Sequence, residues 1–193
     1  MKRLGRLFVV SAPSGAGKTT LVEAVLKKLG ASCDLKRIVT YTSRAPRKGE
    51  LHGKDFYYLS GADFVKKIEE GFFIEWSNGL GHYYGTQRSI IDDLERGQSG
   101  VLVIDRIGAA QIMNQIRDAI LLWIEVSDIK VLEQRLARRG TETQKEIEKR
   151  IQRARLEIDE EQEKKLYHYH IYNDVFEIAL QKLEAIIISA IKT

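Results

Sequence analysis

The chain has 193 residues, of which 44% are hydrophobic and 30% charged, and it carries a formal net charge of +4. This length suits one compact α/β domain with small inserted subdomains, and the composition excludes wholesale disorder. The mild positive charge suits small phosphorylated ligands, and no continuous basic stripe indicates nucleic-acid binding. With Cys33 as the one cysteine, no intrachain disulfide can form. We therefore expect a cytoplasmic protein without a membrane-spanning segment.

The first predicted elements are a strand, a glycine-rich turn and a helix. Residues 7–12 form an apolar run without alternation, which is typical of a strand buried on both faces. From Lys18 to Leu29, apolar side chains recur at helical spacing. The turn between them, from Ala12 to Thr19, fits the P-loop pattern with Ala in place of its first Gly.

This turn predicts a phosphate-binding site. Gly15 and Gly17 let successive backbone N–H groups turn inward around phosphate oxygens, at the positive end of the following helix. Lys18 would reach the β- and γ-phosphates, and the Thr19 hydroxyl would ligate Mg²⁺. A dinucleotide fingerprint is excluded because Thr20 stands where its third Gly or Ala would be. The predicted ATP-binding residues here are Ala12, Pro13, Ser14, Gly15, Ala16, Gly17, Lys18, Thr19 and Thr20.

Between residues 34 and 86 the pattern changes to short strand-like pieces rich in Tyr and Phe. The pieces are Lys36–Tyr41, Phe56–Leu59 and Phe73–Trp76. A helix over residues 62–70 separates the last two, with Ser60 and Asp63 placed to cap it. We expect a small mixed α+β insertion.

The second half returns to alternating strands and helices. Strands are predicted over 101–105 and 119–126, each followed by a helix, over 109–116 and 128–139. This alternation favours a parallel sheet with helices on both faces. A long charged helix over 144–165, a strand over 168–172 and a terminal helix from residue 174 complete the chain.

Asp105 ends the predicted strand 101–105, at the edge where α/β sheets place ligands. It would hold Mg²⁺ through a bridging water, or else simply terminate the strand as a turn residue.

Several later motifs resemble those of one family. Residues 40–50, Gly53-Lys-Asp55, Phe73-Ile-Glu75-Trp76 and Tyr83-Tyr-Gly-Thr86 together closely resemble the acceptor-binding subdomain of guanylate kinases. With the P-loop, the Arg135…Arg139-Gly140-Thr141 stretch and Tyr172-Asn173-Asp174, the resemblance covers nearly the whole chain in order.

The resemblance implies an enzyme that transfers a phosphoryl group from ATP with Mg²⁺ to GMP and dGMP, giving ADP and a diphosphate, in purine nucleotide metabolism. It implies an α/β fold of the P-loop NTPase type, with a small α+β acceptor-binding insertion and a helical lid. The P-loop core would comprise residues 1–33, 87–126 and 160–193. Residues 34–86 would be the GMP-binding insertion, and 127–159 the lid.

The resemblance also assigns site residues. Arg44 and Arg47 would clamp the GMP phosphate with Tyr84. Glu75 would accept the two donors of the guanine edge, a pair that adenine lacks. The implied GMP-binding set is Thr40, Arg44, Arg47, Phe56, Glu75, Tyr84, Thr86 and Asp105. The implied catalytic set is Lys18, Arg44, Arg135, Arg139 and Arg150, with Asn173 added to the ATP site.

Two positions depart from the family pattern. Phe56 stands where the family usually has a Tyr whose hydroxyl hydrogen-bonds the GMP phosphate. Losing that hydrogen bond would cost about 1.5–3 kcal/mol of acceptor binding. Tyr57 follows, but adjacent strand residues face opposite sides. Val103 stands where the family usually has an acid near the guanine amino group. Both changes predict weaker GMP binding or looser base choice.

Three alternatives remain at this point. They are a kinase for another nucleoside monophosphate, a P-loop kinase for a sugar phosphate, and a catalytically inactive module that binds a phosphorylated protein partner through Arg44 and Arg47. Such modules usually lack the P-loop lysine, whereas Lys18 is present. The sequence gives no oligomeric state.

Overall fold

The computed structural model describes residues 3–79, 81–138 and 143–192. The strands are β1 Leu7–Ser11, β2 Leu35–Ile38, β3 Thr40–Thr42, β4 Phe56–Tyr58, β5 Phe73–Gly79, β6 His82–Gln87, β7 Ser99–Val103, β8 Ile120–Glu125 and β9 Tyr169–Tyr172. The helices are α1 Lys18–Leu29, α2 Gly61–Glu69, α3 Ile90–Glu95, α4 Arg106–Gln115, α5 Ile129–Arg138, α6 Gln144–Lys164 and α7 Phe176–Lys192.

The strands form two sheets. A five-stranded sheet has the order β2-β7-β1-β8-β9, and its outer pairings, β2 with β7 and β8 with β9, are parallel. Every residue of β1 is buried, as expected for an apolar strand covered on both faces. The predicted parallel sheet flanked by helices is confirmed. A four-stranded sheet of order β4-β3-β6-β5 contains both parallel and antiparallel pairs.

Contacts divide the chain into two compact units. The first comprises Met1–Val9 and Asp34–Ala119, and contains the four-stranded sheet. Its aromatic core includes Phe64, which stacks on Phe73 with ring centroids 4.4 Å apart. The second comprises Val10–Cys33 and Ile120–Thr193, and contains the glycine-rich loop and the last three helices.

The strand predicted over Lys36–Tyr41 is divided at Val39. The part before Val39, β2, pairs with β7 in the five-stranded sheet, whereas the part after it, β3, pairs with β4 and β6 in the other sheet. The physical reason is that a continuous extended run does not specify which strands will pair with each of its halves. Strand β6 and helix α3 were not predicted as elements.

The helix caps follow the sequence more closely. The Ser60 hydroxyl accepts a hydrogen bond from the Asp63 backbone N–H (3.1 Å) and donates one to the Asp63 carboxylate (2.6 Å), so the predicted cap of α2 is confirmed. Helix α6 begins with a capping box between Thr143 and Glu146. None of the helices in the described ranges has both the length and the apolar run that a bilayer crossing requires.

Candidate functional site

The glycine-rich loop adopts the backbone that its glycines predict. Gly15 has φ of 91° and Gly17 has φ of 86°, both in the left-handed region that favours glycine. A β-carbon on Gly15 would also lie 3.3 Å from the Leu136 side chain on α5, and one on Gly17 would overlap the Asn173 side-chain amide. Backbone conformation therefore favours glycine at both positions, and at position 17 space requires it as well.

Asn173, predicted at the ATP site, is hydrogen-bonded to the backbone of this loop. Its side-chain Nδ2 donates to the Ala16 carbonyl oxygen (2.7 Å), and its backbone N–H donates to the carbonyl of Glu125 at the end of β8 (2.7 Å). Asn173 is 4% exposed, so these bonds are shielded from water. The end of β9 thereby fixes one peptide of the loop.

Arg135 on α5 lies beside the same loop. Its Nη2 donates to the Asn173 carbonyl oxygen (2.8 Å), and its Nη1 lies 3.9 Å from the place where a β-carbon on Gly17 would stand. This guanidinium is therefore held next to the loop backbone. Among the other predicted lid residues, Arg150 is half-buried on α6, which packs against α5, and Arg139 lies outside the described residues.

The remaining predicted residues of this region belong to the first turn of α1. Lys18 is the first residue of the helix, and Gly17 is its N-cap. Thr19 and Thr20 are exposed to solvent. The free N–H groups of a helix N-terminus and its dipole both favour an anion at this point.

In the other unit, Glu75 is a buried acid on β5. It is 2% exposed and pairs across the sheet with Thr86 on β6. The Thr86 hydroxyl donates to Glu75 Oε1 at 2.5 Å. Thr40, the third member of the predicted base-binding group, is also buried, at the start of β3. The fold thus brings Glu75 and Thr86 together, as predicted.

Burial changes the ionisation of this acid. Desolvation raises the pKa of Glu75 to about 7, against the hydrogen bonds from Thr86 and with a smaller contribution from the negative charge of Asp105. A carboxylate in such surroundings gains from hydrogen-bond donors supplied by a ligand. Such an acid therefore favours a ligand that brings hydrogen-bond donors to it.

Asp105 has a structural role in addition to its predicted ligand role. The strand β7 ends at Val103, and Asp105 is the N-cap of α4, where its Oδ1 accepts from the Gly108 backbone N–H (2.9 Å). Its Oδ2 accepts from the hydroxyl of Ser77 on β5 (2.7 Å). Asp105 thus connects the start of α4 to the strand that carries Glu75.

Two glutamines of α4 strengthen that connection. Gln111 accepts from the backbone N–H of Trp76 (3.1 Å) and donates to the carbonyl of the same residue (2.7 Å). Gln115 donates to the Ile74 carbonyl. Strand β5 is an edge strand, so these side chains take the place of a neighbouring strand. The backbone on both sides of Glu75 is therefore anchored.

The predicted phosphate clamp centres on Arg44. Its Nη2 contacts both oxygens of Glu50 at 2.9 Å, and its Nη1 donates to the Ala45 carbonyl (2.7 Å). Its guanidinium carbon lies 5.6 Å from the centre of the Phe56 ring, within cation–π range. Burial would lower the pKa of Arg44, but its hydrogen bonds to Glu50 and the charge of that carboxylate, with a smaller contribution from Tyr84, raise it.

The second arginine of the predicted clamp is arranged differently. The Arg47 side chain is exposed, while its backbone N–H donates to Glu50 Oε2 (2.8 Å). Burial alone would raise the pKa of Glu50, but hydrogen bonds from the Arg47 backbone, Tyr58 and Arg44 lower it. Glu50 is therefore an ionised acceptor within the clamp.

Sequence reasoning missed four residues that support Glu75 and Arg44 in this unit. They are Glu50, Tyr58, Ser77 and Gly108. The one signal available was the spacing of an acid six residues after Arg44, in a loop with a glycine before it. The contacts of Ser77 and Gly108 depend on the approach of α4 to β5.

Comparisons with known proteins identify the family of the chain. The guanylate kinase family model matches residues 4–190. A guanylate kinase from Caldanaerobacter subterraneus subsp. tengcongensis is 37% identical over 98% of this chain and 89% of its own length. One from Shewanella sp. (strain MR-7) is 40% identical over 97% of this chain and 88% of its own length. The crystal structure of guanylate kinase from Anaplasma phagocytophilum has a TM-score of 0.81 and 27% identity, and covers 100% of this chain and 89% of that one. The chain therefore belongs to the guanylate kinase family.

Proposed function

We propose that this chain transfers the γ-phosphoryl group of ATP to GMP, and to dGMP, giving ADP and the corresponding diphosphate. The observation that carries the proposal is the buried carboxylate of Glu75, 2% exposed and hydrogen-bonded by Thr86, in a member of this family. Guanine offers this carboxylate two N–H donors on one edge. Adenine would leave the acid without those partners, which a buried polar site penalises strongly.

Arg44 and Tyr84 would bind the GMP phosphate. The exposed side chain of Arg47 would contact the same phosphate from the solvent side. Support comes from the fixed, planar guanidinium of Arg44, which suits bidentate contacts with phosphate oxygens. Its five N–H donors exceed those used by Glu50 and Ala45. The oxygen of GMP that attacks is already ionised near neutral pH, so this chemistry needs no general base.

The loop from Ala12 to Thr20, with Asn173 behind it, would bind the ATP phosphates. Lys18 and Arg135 would place positive charge against the phosphoryl group during transfer, with Arg139 and Arg150 as the further lid arginines. Catalysis would then consist of positioning and charge stabilisation. The position of Arg135 beside Gly17 supports its share in this role.

Magnesium is the cation that this chemistry implies, and the residues fit it. Thr19 presents an exposed hydroxyl on the first turn of α1, and oxygen is the ligand that Mg²⁺ prefers. Both carboxylate oxygens of Asp105 already accept hydrogen bonds within the protein, which suits a contact through a bridging water. When bound, the ion would offset negative charge on the ATP phosphates.

An ADP-release assay with ATP, Mg²⁺ and one acceptor at a time tests the proposal. GMP and dGMP should support turnover, whereas AMP, CMP and UMP should give rates near that of ATP alone. Equal turnover with AMP and GMP would overturn the proposed role of Glu75. Fast ATP hydrolysis without any acceptor would overturn the proposed reaction.

A further inference from the structure

The face of β4 that points to Arg44 carries an unexpected hydroxyl. Phe56 and Tyr58 share this face, with ring centroids 6.0 Å apart. Tyr57 points the other way and stacks on Tyr41 at 4.7 Å. Position 56 has lost the hydroxyl that the family pattern places there, but position 58 has one on the same side of the strand.

The Tyr58 hydroxyl is directed at the phosphate clamp through Glu50. It donates to Glu50 Oε2 at 2.8 Å, the oxygen that also accepts from Arg44 and from the Arg47 backbone. Burial and this bond raise the pKa of Tyr58 to about 12, so the phenol stays a donor at neutral pH. The side chains of Arg44 and Glu50 are only 12% and 20% exposed, which sets their pairing apart from a loose surface ion pair.

The backbone around Tyr58 is fixed independently of the hydroxyl. Its N–H donates to His52 Nδ1 at 3.3 Å, and β4 pairs in parallel with β3. Removing the hydroxyl should therefore leave the strand in place and free one side of the Glu50 carboxylate. A carboxylate with fewer donors would be less fixed in position, and so would the Arg44 guanidinium that is bonded to it.

Resting on the proposed function, we infer that Tyr58 is a positioning residue for the acceptor phosphate and compensates for Phe56. Its hydroxyl fixes Glu50, and Glu50 fixes the guanidinium of Arg44 above the Phe56 ring. The predicted weakening of GMP binding by Phe56 is thereby offset from a position two residues later. The substrate group concerned is the 5′-phosphate of the acceptor, and the base is not involved.

Calorimetric binding of GMP and of guanosine, without ATP, tests this inference. Tyr58→Phe should weaken GMP binding by about three- to tenfold, the effect of one net hydrogen bond. Guanosine lacks the phosphate, so its affinity should stay the same. Tyr57→Phe removes a hydroxyl from the opposite face of the same strand and should change neither affinity. Adding Phe56→Tyr to Tyr58→Phe should recover most of the lost GMP affinity.

The outcomes separate cleanly. An unchanged GMP affinity in Tyr58→Phe, or an equal loss for GMP and guanosine, would overturn the inference while leaving the proposed function intact. A loss for GMP that the added Phe56→Tyr does not recover would overturn the compensation. Absence of GMP binding by the unaltered chain would overturn the proposed function and this inference together. Melting temperatures of the variants serve to identify any that fail to fold.

Discussion

The carboxylate of Glu75 lies so close to the backbone of Gly108 that a β-carbon on Gly108 would overlap Glu75 Oε2. Gly108 is on the first turn of α4 and is buried, and its φ is not in the left-handed region. Position 108 therefore requires glycine because a side chain would not fit beside Glu75, and not because of its backbone conformation. The first turn of α4 thus forms one wall of the place occupied by this acid.

Gly108→Ala should raise the KM for GMP by about tenfold or more, because forcing a methyl group into a filled site costs ~1–3 kcal/mol. Alanine is the better helix former by ~1 kcal/mol, so helix propensity alone predicts the opposite sign for stability. Steady-state kinetics with GMP varied at saturating ATP measure the effect, and the KM for ATP should stay within about twofold of its original value.

Gly61→Ala is the matched control for that substitution. Gly61 is the first residue of α2, and a β-carbon there would meet nothing within 4 Å. This variant should keep the KM for GMP unchanged. If Gly108→Ala behaved like Gly61→Ala, α4 would have no part in holding the acid.

The raised pKa of Glu75 predicts a pH-dependent affinity for guanosine. Guanine needs the ionised carboxylate of Glu75 as acceptor. Because the pKa of Glu75 is about 7, half of the ligand-free molecules carry a proton on Glu75 at pH 7. Affinity for guanosine should therefore rise between pH 6 and pH 8. Guanosine is preferred to GMP as the probe because a phosphate group titrates near pH 6.

Glu75→Gln provides the reference for this titration. Its amide has no proton to lose in this range, so its guanosine affinity should be lower and independent of pH. Calorimetry at each pH measures the guanosine affinity of both proteins. If the two affinities changed with pH in the same way, some group other than Glu75 would be titrating.

The same pKa has a consequence for folding, with the sign opposite to that of a salt-bridged acid. Between pH 4.5 and about 7 the folded protein keeps a proton on Glu75 that the unfolded chain has released. The contribution of Glu75 to stability is therefore full below pH 4.5 and falls as the pH rises to 7. The full shift corresponds to on the order of 3 kcal/mol. The free energy of unfolding of Glu75→Gln, minus that of the original chain, should increase as the pH rises from 5 to 8. Urea unfolding at each pH measures this difference. A difference that does not change with pH would contradict this assignment.

The phosphate loop could be predicted from sequence because its determinants are local. A strand, Gly15, Gly17 and a helix follow each other within about twenty residues, and each is encoded by its own periodicity or backbone preference. The assignment of Asn173 to the ATP site came from family resemblance alone, and its contact with the loop was not predicted. Its bond to Ala16 joins residues 157 positions apart, which no local pattern contains.

The proposed acceptor-binding residues could be predicted only in part, because some of their contacts are not local. Glu75 and Thr86 stand on neighbouring strands, and the motif around each was recognisable. The link from Tyr58 through Glu50 to Arg44 depends on how the loop over residues 45–55 folds back. That path includes a turn in which the Glu50 N–H donates to the Arg47 carbonyl. Side-chain contacts across such a loop are set by its conformation, which composition does not determine.

Lys18→Ala should lower the rate of transfer from ATP to GMP by at least ~10², the usual effect of removing one group that stabilises transition-state charge. Lys18 is the first residue of α1, and alanine is at least as good a helix former as lysine, so the helix should be kept and the melting temperature should change little. Lys27→Ala, at the exposed far end of the same helix, is the control and should keep full activity. An active Lys18→Ala protein would remove this lysine from the mechanism.

Asn173→Asp should disrupt the ATP half while leaving acceptor binding alone. The substitution keeps the shape of the side chain but replaces the Nδ2 donor with an oxygen that faces the Ala16 carbonyl in a buried place. Losing a buried donor and setting two acceptors against each other costs ~1–3 kcal/mol, more if the acid is charged. The KM for ATP should rise by about tenfold or more, whereas calorimetric binding of GMP should not change. Asp174→Asn is the matched control, because its amide oxygen can still accept from the Ser127 backbone N–H. An unchanged KM for ATP in Asn173→Asp would show that the loop does not depend on this bond for its shape.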